Sequence, residues 1–277
     1  GIDSMSGEID TESLTISQHG EKRSYTFAAD ALRGQFGWRQ YGEGWQFAVQ
    51  NVLVRQQQGS WTTPNLSLAG RQDDQGLSIS GESSLLVLDG FGALLPIIPG
   101  LSVEHRQLLG GLQPSGSIKD LAFSISSNDK ETRVGHFSAR FSGLSIEQSG
   151  VFPKLAGLDG RVLGDSESGT LTFASYNAGV YDDRLFRELL PVDSAEGEVS
   201  WQLNDGVMEI ATDALTIKNA DLSLGMKMGL YLPLDAGEPS INLAIDVEHL
   251  DIGRAHAYLP ARVMSPRGVA WLDRSLK

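Results

Sequence analysis

The sequence contains no cysteine. That excludes disulfide frameworks, zinc–thiolate sites and thiol nucleophiles, and it leaves the compartment open. No hydrophobic run approaches the roughly 18 residues that a spanning helix needs. The most apolar stretch, Phe91 to Leu101 (FGALLPIIPGL), is short and is interrupted by Pro96, Pro99 and Gly100. There is no basic block either: Lys and Arg are scattered, and the formal net charge is -13. A phosphate backbone would be repelled, so nucleic acid is excluded as a partner. Polybasic adsorption to an anionic membrane is excluded on the same ground. Burial of lipid tails is untouched by that balance, because its energy comes from apolar contact. The opening carries no signal peptide, and Gly1 to Met5 reads as a short appended leader before the natural segment. The expectation is a soluble, excised piece whose targeting or anchoring part lies elsewhere.

What is present is alternation. Of 277 residues, 40% are hydrophobic and 21% charged, enough for a packed protein. Glycine is abundant at 32, and with Ser, Asn and Asp it punctuates short apolar runs, as expected for many strands joined by turns. Leu222, Leu224, Met226, Met228, Leu230 and Leu232 alternate with Ser223, Gly225, Lys227, Gly229 and Tyr231. Side chains on a strand point to opposite faces, so this strand is wet on one side and oily on the other. Ile241, Leu243, Ile245 and Val247 repeat the pattern, as do Val199, Trp201 and Leu203; Leu121, Phe123 and Ile125; Leu171 and Phe173; and Trp45, Phe47 and Val49. Polar gaps separate the runs, among them Tyr41 to Gly44 and Asn204-Asp205-Gly206, where Asp-Gly suits a tight hairpin. The predicted fold is mainly β: a long antiparallel meander with strands of about 6–10 residues.

Helical signals are few. Ser83 to Leu112 breaks the alternation and reads as a helical insertion, with one helix around Leu85 to Ile98 and another over Ser102 to Leu112. Tyr181 to Leu190 (YDDRLFRELL) reads as a short helix. The tail has Ser265 at the N-cap and Pro266 at the first helical position. The expected division is 1–82 and 113–260 in β-structure, 83–112 as the insertion and 261–277 as a terminal helix covering an edge.

Catalytic patterns are missing. The histidines His19, His105, His136, His249 and His256 stand in no metal-ligand or HExxH spacing. Asp73-Asp74 reads as a solvated hairpin tip, and Asp182-Asp183 as first-turn helix charges. Glu104 and Asp246 are acids that nothing singles out. Gly90-Phe91-Gly92 is a lone GxG, without the strand–helix context of a nucleotide fingerprint. The chain is read as non-enzymatic, with no cofactor and no metal.

An ordered set of segments adds a family resemblance. It runs from Leu112 to Leu121 (LQPSGSIKDL), through Phe141 to Ser145 (FSGLS) and Pro153 to Gly164 (PKLAGLDGRVLG), to Gly169 to Phe173 (GTLTF). Leu185-Phe186, Ala195 to Trp201 (AEGEVSW), Tyr258-Leu259-Pro260 and Trp271-Leu272 follow. In this order they resemble the AsmA-like/YhdP family of bacterial proteins, relatives of TamB. The first 110 residues resemble it only in style. The resemblance implies a curved antiparallel sheet forming an open trough or β-groove. It also implies a periplasmic protein held in the inner membrane by an N-terminal helix outside this chain. The implied work is moving glycerophospholipid between the inner and outer membranes, with acyl chains as the bound partner and inner- or outer-membrane proteins as further partners.

The lining of such a groove is expected at Leu121, Phe123, Ile125, Leu171, Phe173, Val199, Trp201, Leu203, Leu222, Leu224, Met226, Met228, Leu230, Leu232, Ile241, Leu243 and Ile245. Each buried methylene contributes about 0.8 kcal/mol, so an oily track needs little polar chemistry. Met226 and Met228 suit varied tails. An ordinary sealed core would give the same stripes, and an outer-membrane assembly scaffold that captures extended strands on a sheet edge is the alternative function.

Overall fold

The structure is a computed structural model that describes residues 3–19, 24–57, 59–74, 76–91, 110–128, 132–149, 152–187, 189–234, 237–259 and 261–275. Strands dominate. They are β1 (Ser4–Thr11), β2 (Leu14–His19), β3 (Ser24–Ala29), β4 (Ala31–Tyr41), β5 (Gly44–Gln56), β6 (Gly59–Asp73), β7 (Gly76–Val87) and β8 (Ser115–Ser127). After them come β9 (Thr132–Ile146), β10 (Lys154–Gly164), β11 (Ser168–Tyr181), β12 (Leu190–Asn204), β13 (Val207–Lys218), β14 (Leu222–Pro233) and β15 (Ser240–Leu250). Thirteen form one sheet in the order β1-β4-β5 and then sequentially to β15, while β2 and β3 pair only with each other. The large sheet is open, since β1 and β15 stand at its two ends.

Most strands are longer than the sequence suggested, β6, β9 and β12 reaching 15 residues each. The cause is the β-bulge. An extra residue kinks a strand without ending it and shifts its side-chain alternation by one. In β13 the register with β14 shifts between Thr212 and Leu215, so Met208, Ile210 and Thr212 before it and Leu215 and Ile217 after it occupy the same face. Asn51, with φ of 51°, does the same in β5, between Trp45, Phe47 and Val49 on one side and Val52 and Val54 on the other. Asparagine tolerates this left-handed conformation better than most residues.

The chain divides into two compact units, Gly1–Phe141 with Val162–Ser166, and Ser142–Arg161 with Glu167–Lys277. In the first, the β2–β3 hairpin forms a small second layer. Phe27 and Ala29 of β3 pack with Val54 of β5 and Trp61 of β6, and Leu14, Leu32, Val52 and Val87 surround them. Elsewhere on this unit's apolar face, glycine makes room for aromatic rings. Trp45 lies across Gly70, where a Cβ would come within 2.4 Å of the indole, and Phe123 lies across Gly81.

The second unit holds two of the segments that carry the resemblance, and they lock together. Ser142 Oγ and the Gly143 amide both donate to Asp159 Oδ1, at 2.6 and 3.0 Å. The Gly157 amide donates to Ser145 Oγ. Gly143 and Gly157 both have positive φ, which only glycine adopts freely. The buried Ser175 hydroxyl lies within hydrogen-bond distance of both the amide and the carbonyl of Asp159. Further on, the Tyr258 hydroxyl lies 3.1 Å from Asn219 Oδ1 and 3.1 Å from Asp221 Oδ2. This ties the Tyr-Leu-Pro segment to the β13–β14 connection, and burial pushes the phenol above its ordinary value.

Two helical readings are corrected. Ser83 to Val87 belongs to β7, because Leu85, Leu86 and Val87 pair with Lys119, Ile118 and Ser117 of β8. Leu88–Phe91 is helical, as are residues 110–112 at the end of the predicted insertion. Residues 92–109, with His105 and Glu104, lie outside the described residues. Tyr181 ends β11 and Leu190 begins β12, so the expected helix between them is a single turn closed by Phe186 N–H to Asp182 O. The C-terminal helix, Pro266–Ser275, forms as expected, with the Gly268 amide donating to the Ser265 hydroxyl.

Asp182 is buried in its turn and pairs with Arg184, with contacts at 2.5 and 2.8 Å. The guanidinium hydrogen bond holds the Asp182 carboxyl below the usual aspartate range, against the opposing effect of burial. Because the folded pKa is depressed, the pair stabilises above the unfolded value and is lost as pH falls through the folded one. Asp182→Asn is expected to lower the urea midpoint at neutral pH. Its difference from the parent should vanish under acid conditions, which denaturation curves across pH would check.

Candidate functional site

The register places fourteen of the seventeen expected lining residues on one face of the second unit. Leu171 of β11 sits opposite Val199 of β12, and Phe173 opposite Gly197. Trp201 is opposite Ile210, and Leu203 opposite Met208. On β14, Leu224, Met226, Met228, Leu230 and Leu232 face Ile217, Leu215, Thr212, Ile210 and Met208 of β13. The same β14 residues from Leu224 to Leu230 meet Val247, Ile245, Leu243 and Ile241 on β15. Leu222 joins the row opposite Leu250. The remaining three, Leu121, Phe123 and Ile125, lie on β8 in the first unit, opposite Ser83, Gly81 and Ile79 of β7.

The opposite face of the second unit is polar and bonded across strands. Thr172 donates to Glu198, the Tyr176 hydroxyl to Glu196, and Ser223 to Glu248. Bonding to Glu196 raises the Tyr176 pKa. One side is therefore adapted to water and the other is hydrocarbon.

The oily side is not sealed. The two-stranded sheet belongs to the first unit, and among the described residues no second sheet covers the face of the second. Ile241, Leu243 and Ile245 are 58%, 51% and 52% exposed. The buried cluster of this unit is small: Ala178, Val192 and Ala195, with Leu158, Phe173 and Ile217 against it. A contiguous exposed apolar surface of this kind marks a place where something else binds.

Sequence reasoning missed Met208, Ile210, Leu215 and Ile217 as members of this face. The bulge divides their strand into two half-runs that are out of phase, and the phase jump between Thr212 and Leu215 was the readable signal. The first unit's counterparts, Phe36, Trp38, Phe47, Leu66 and Leu68, alternate plainly and pair on one face, where the Trp38 and Trp45 rings stack at 5.4 Å.

The acids weighed as catalytic candidates are scattered. Asp73 pairs with Arg71, Asp246 lies opposite Gly225 on the polar face, and Asp182 is engaged by Arg184. Among the described residues no group of three or more His, Asp or Glu is placed to hold a metal ion.

A family model described as "YhdP protein" matches residues 1–277. The chain belongs to the YhdP family. The family match therefore extends over the first 110 residues as well, where the motifs alone gave only a likeness of style. A YhdP-family relative, the "Intermembrane phospholipid transporter YhdP" of Escherichia coli (strain K12), is 25% identical over 269 residues, covering 93% of this chain. The chain spans 21% of that relative's length. No solved structure matches the chain. Among the described residues of this YhdP-family chain, no helix is long and apolar enough to cross a membrane.

Proposed function

We propose that this chain is a lipid-holding segment of a longer periplasmic protein, one that moves glycerophospholipid between the inner and outer membranes without catalysing a reaction. The observation that carries the reading is the half-exposed apolar row of β15 beside the partly buried row of β14, backed by a polar, cross-bonded reverse face. Phospholipid transport named for the relative supplies the cargo class. Acyl chains lie along the rows built by Leu224, Met226, Met228 and Leu230, and headgroups stay in water. Anchoring in the inner membrane by an N-terminal helix belongs to other parts of the long protein, as do contacts with membrane proteins.

The test is to purify the chain from bacteria in detergent-free buffer, record native mass spectra and extract bound lipid. The expected result is phospholipid adducts with mixed acyl chains. A chain free of lipid that still fails to take it up from vesicles would overturn the reading. The second reading, an assembly scaffold for outer-membrane strands, draws on β15, which among the described residues is hydrogen-bonded to β14 alone. An edge strand of that kind can accept an extended peptide. That reading predicts saturable binding of an outer-membrane strand peptide that a charge at Met228 leaves intact.

A further inference from the structure

The antiparallel strands of the second unit return their connections alternately to two rims of its sheet. On one rim the turns are tied together: the Leu203 amide donates to Glu167 O at 2.6 Å, and the Leu234 amide to Gly206 O at 2.8 Å. Glu167, Asp205 and Glu238 stand there, all exposed. Neither the β12–β13 nor the β14–β15 connection contains a Lys or Arg.

The other rim gathers the Asp182 turn, the β13–β14 connection and the segment after β15. The Arg262 amide donates to Leu185 O, Asn219 Nδ2 donates to Pro191 O, and the Asp251 amide donates to Asp221 O. The described carboxylates of these connections have partners within the protein. Lys154 engages Glu147, Arg184 engages Asp182, and Arg254 engages Asp221. Gln148 donates to Asp183, and the Gly253 amide to Asp251. Lys218, at the end of β13, and Arg262 are both exposed, and neither has an ion-pair partner among the described residues. Residues 252–277 carry five of the chain's 22 Lys and Arg but one of its 35 Asp and Glu. Cation therefore collects on this rim in a chain that is otherwise acidic.

Between the rims runs the oily row of β14, from Leu222 beside the cationic rim to Leu232 beside the acidic one. At about 3.3 Å per residue the row is roughly 33 Å long. Tails of one leaflet need about 15 Å, half of a hydrocarbon core of about 30 Å. Length lets a lipid hang from either rim, so charge chooses. The rims stand further apart than the Debye length of about 8 Å, and a phosphate at one of them is governed by that rim alone.

We propose that phospholipid hangs on the second unit from one rim only, its headgroup phosphate beside Lys218 and Arg262 and its tails directed toward the Asp205–Glu238 rim. The inference rests on the lipid-holding reading and adds to it a headgroup site and an orientation. Lys and Arg form charge-assisted bonds with phosphate oxygens, whereas the carboxylate rim repels them.

The chain has no cysteine, so one nitroxide can be placed at Val263→Cys on the cationic rim or at Leu234→Cys on the acidic rim, both exposed positions. The probe is phosphatidylethanolamine carrying dansyl on its headgroup, which keeps the phosphate's negative charge. The expected result is strong quenching by the label at 263 and little by the label at 234. Lys218→Glu with Arg262→Glu should weaken binding of the probe by about tenfold and erase the difference between the labels. Asp205→Lys with Glu238→Lys should bring quenching to the label at 234. Bound probe quenched equally by both labels, or a preference for 263 that survives the double reversal, overturns the headgroup rim and leaves the broader reading standing. No lipid on the chain at all overturns both.

Discussion

Met228→Asp is expected to strip co-purifying phospholipid from the chain by about a hundredfold, while the protein stays folded. Met228 sits mid-row, between Thr212 of β13 and Leu243 of β15. If acyl chains cover this row, the carboxylate must be placed against hydrocarbon. At the centre of a bilayer that costs about 2.5–3.5 kcal/mol on insertion scales, which corresponds to the stated loss. In the empty protein the same carboxylate still reaches water, because Met228 is only partly buried. The urea midpoint should therefore move little. Lipid extraction alongside a denaturation curve separates the two effects. A large fall in stability, with no lipid in either protein, would mean that the face is sealed in solution.

Val54→Asp gives the opposite pair of results. Val54 is 2% exposed, packed between the β2–β3 hairpin and Trp61. The cluster around Val54 is apolar and offers a carboxylate no cation. An unpaired buried charge belongs to the most destabilising class of substitution, about 4 kcal/mol or more. The first unit is expected to lose protection in hydrogen exchange, whereas amides of β13 and β14 keep theirs. Two aspartates, both on apolar stripes of equal regularity, thus separate a covered position from an open one.

That separation was illegible in the sequence. Val52 and Val54 alternate no differently from Met226 and Met228. The runs Leu14–Ile16 and Tyr25–Phe27 read as two more strands of the meander, and nothing in their alternation says that they leave the sheet. Asp30 makes the detour possible: its amide donates to Arg55 O at 2.8 Å, turning the chain from β3 directly into β4. By contrast, β14 and β15 were legible in full, since neither face depends on a distant partner. The turn at Asp182 was misread because Leu185, Phe186, Leu189 and Leu190 imitate a helical stripe. Leu190 is instead paired with Val180, and long strands on both sides leave no length for a helix. β7 was cut short for a similar reason: consecutive Leu85, Leu86 and Val87 violate the period of two near the strand's end, although their pairing continues.

The doubled positions inside β5 and β13 bear on how such a chain can diverge. Each one resets the parity of the oily side, so a strand can gain a residue without turning its grease outward. No side chain on that surface answers to one particular neighbour in the way a catalytic acid answers to its base. Selection then acts on whether odd or even places are greasy, rather than on which greasy residue fills them. A family built on that rule can drift to one-quarter identity over nearly the whole segment and still present an unbroken hydrocarbon floor.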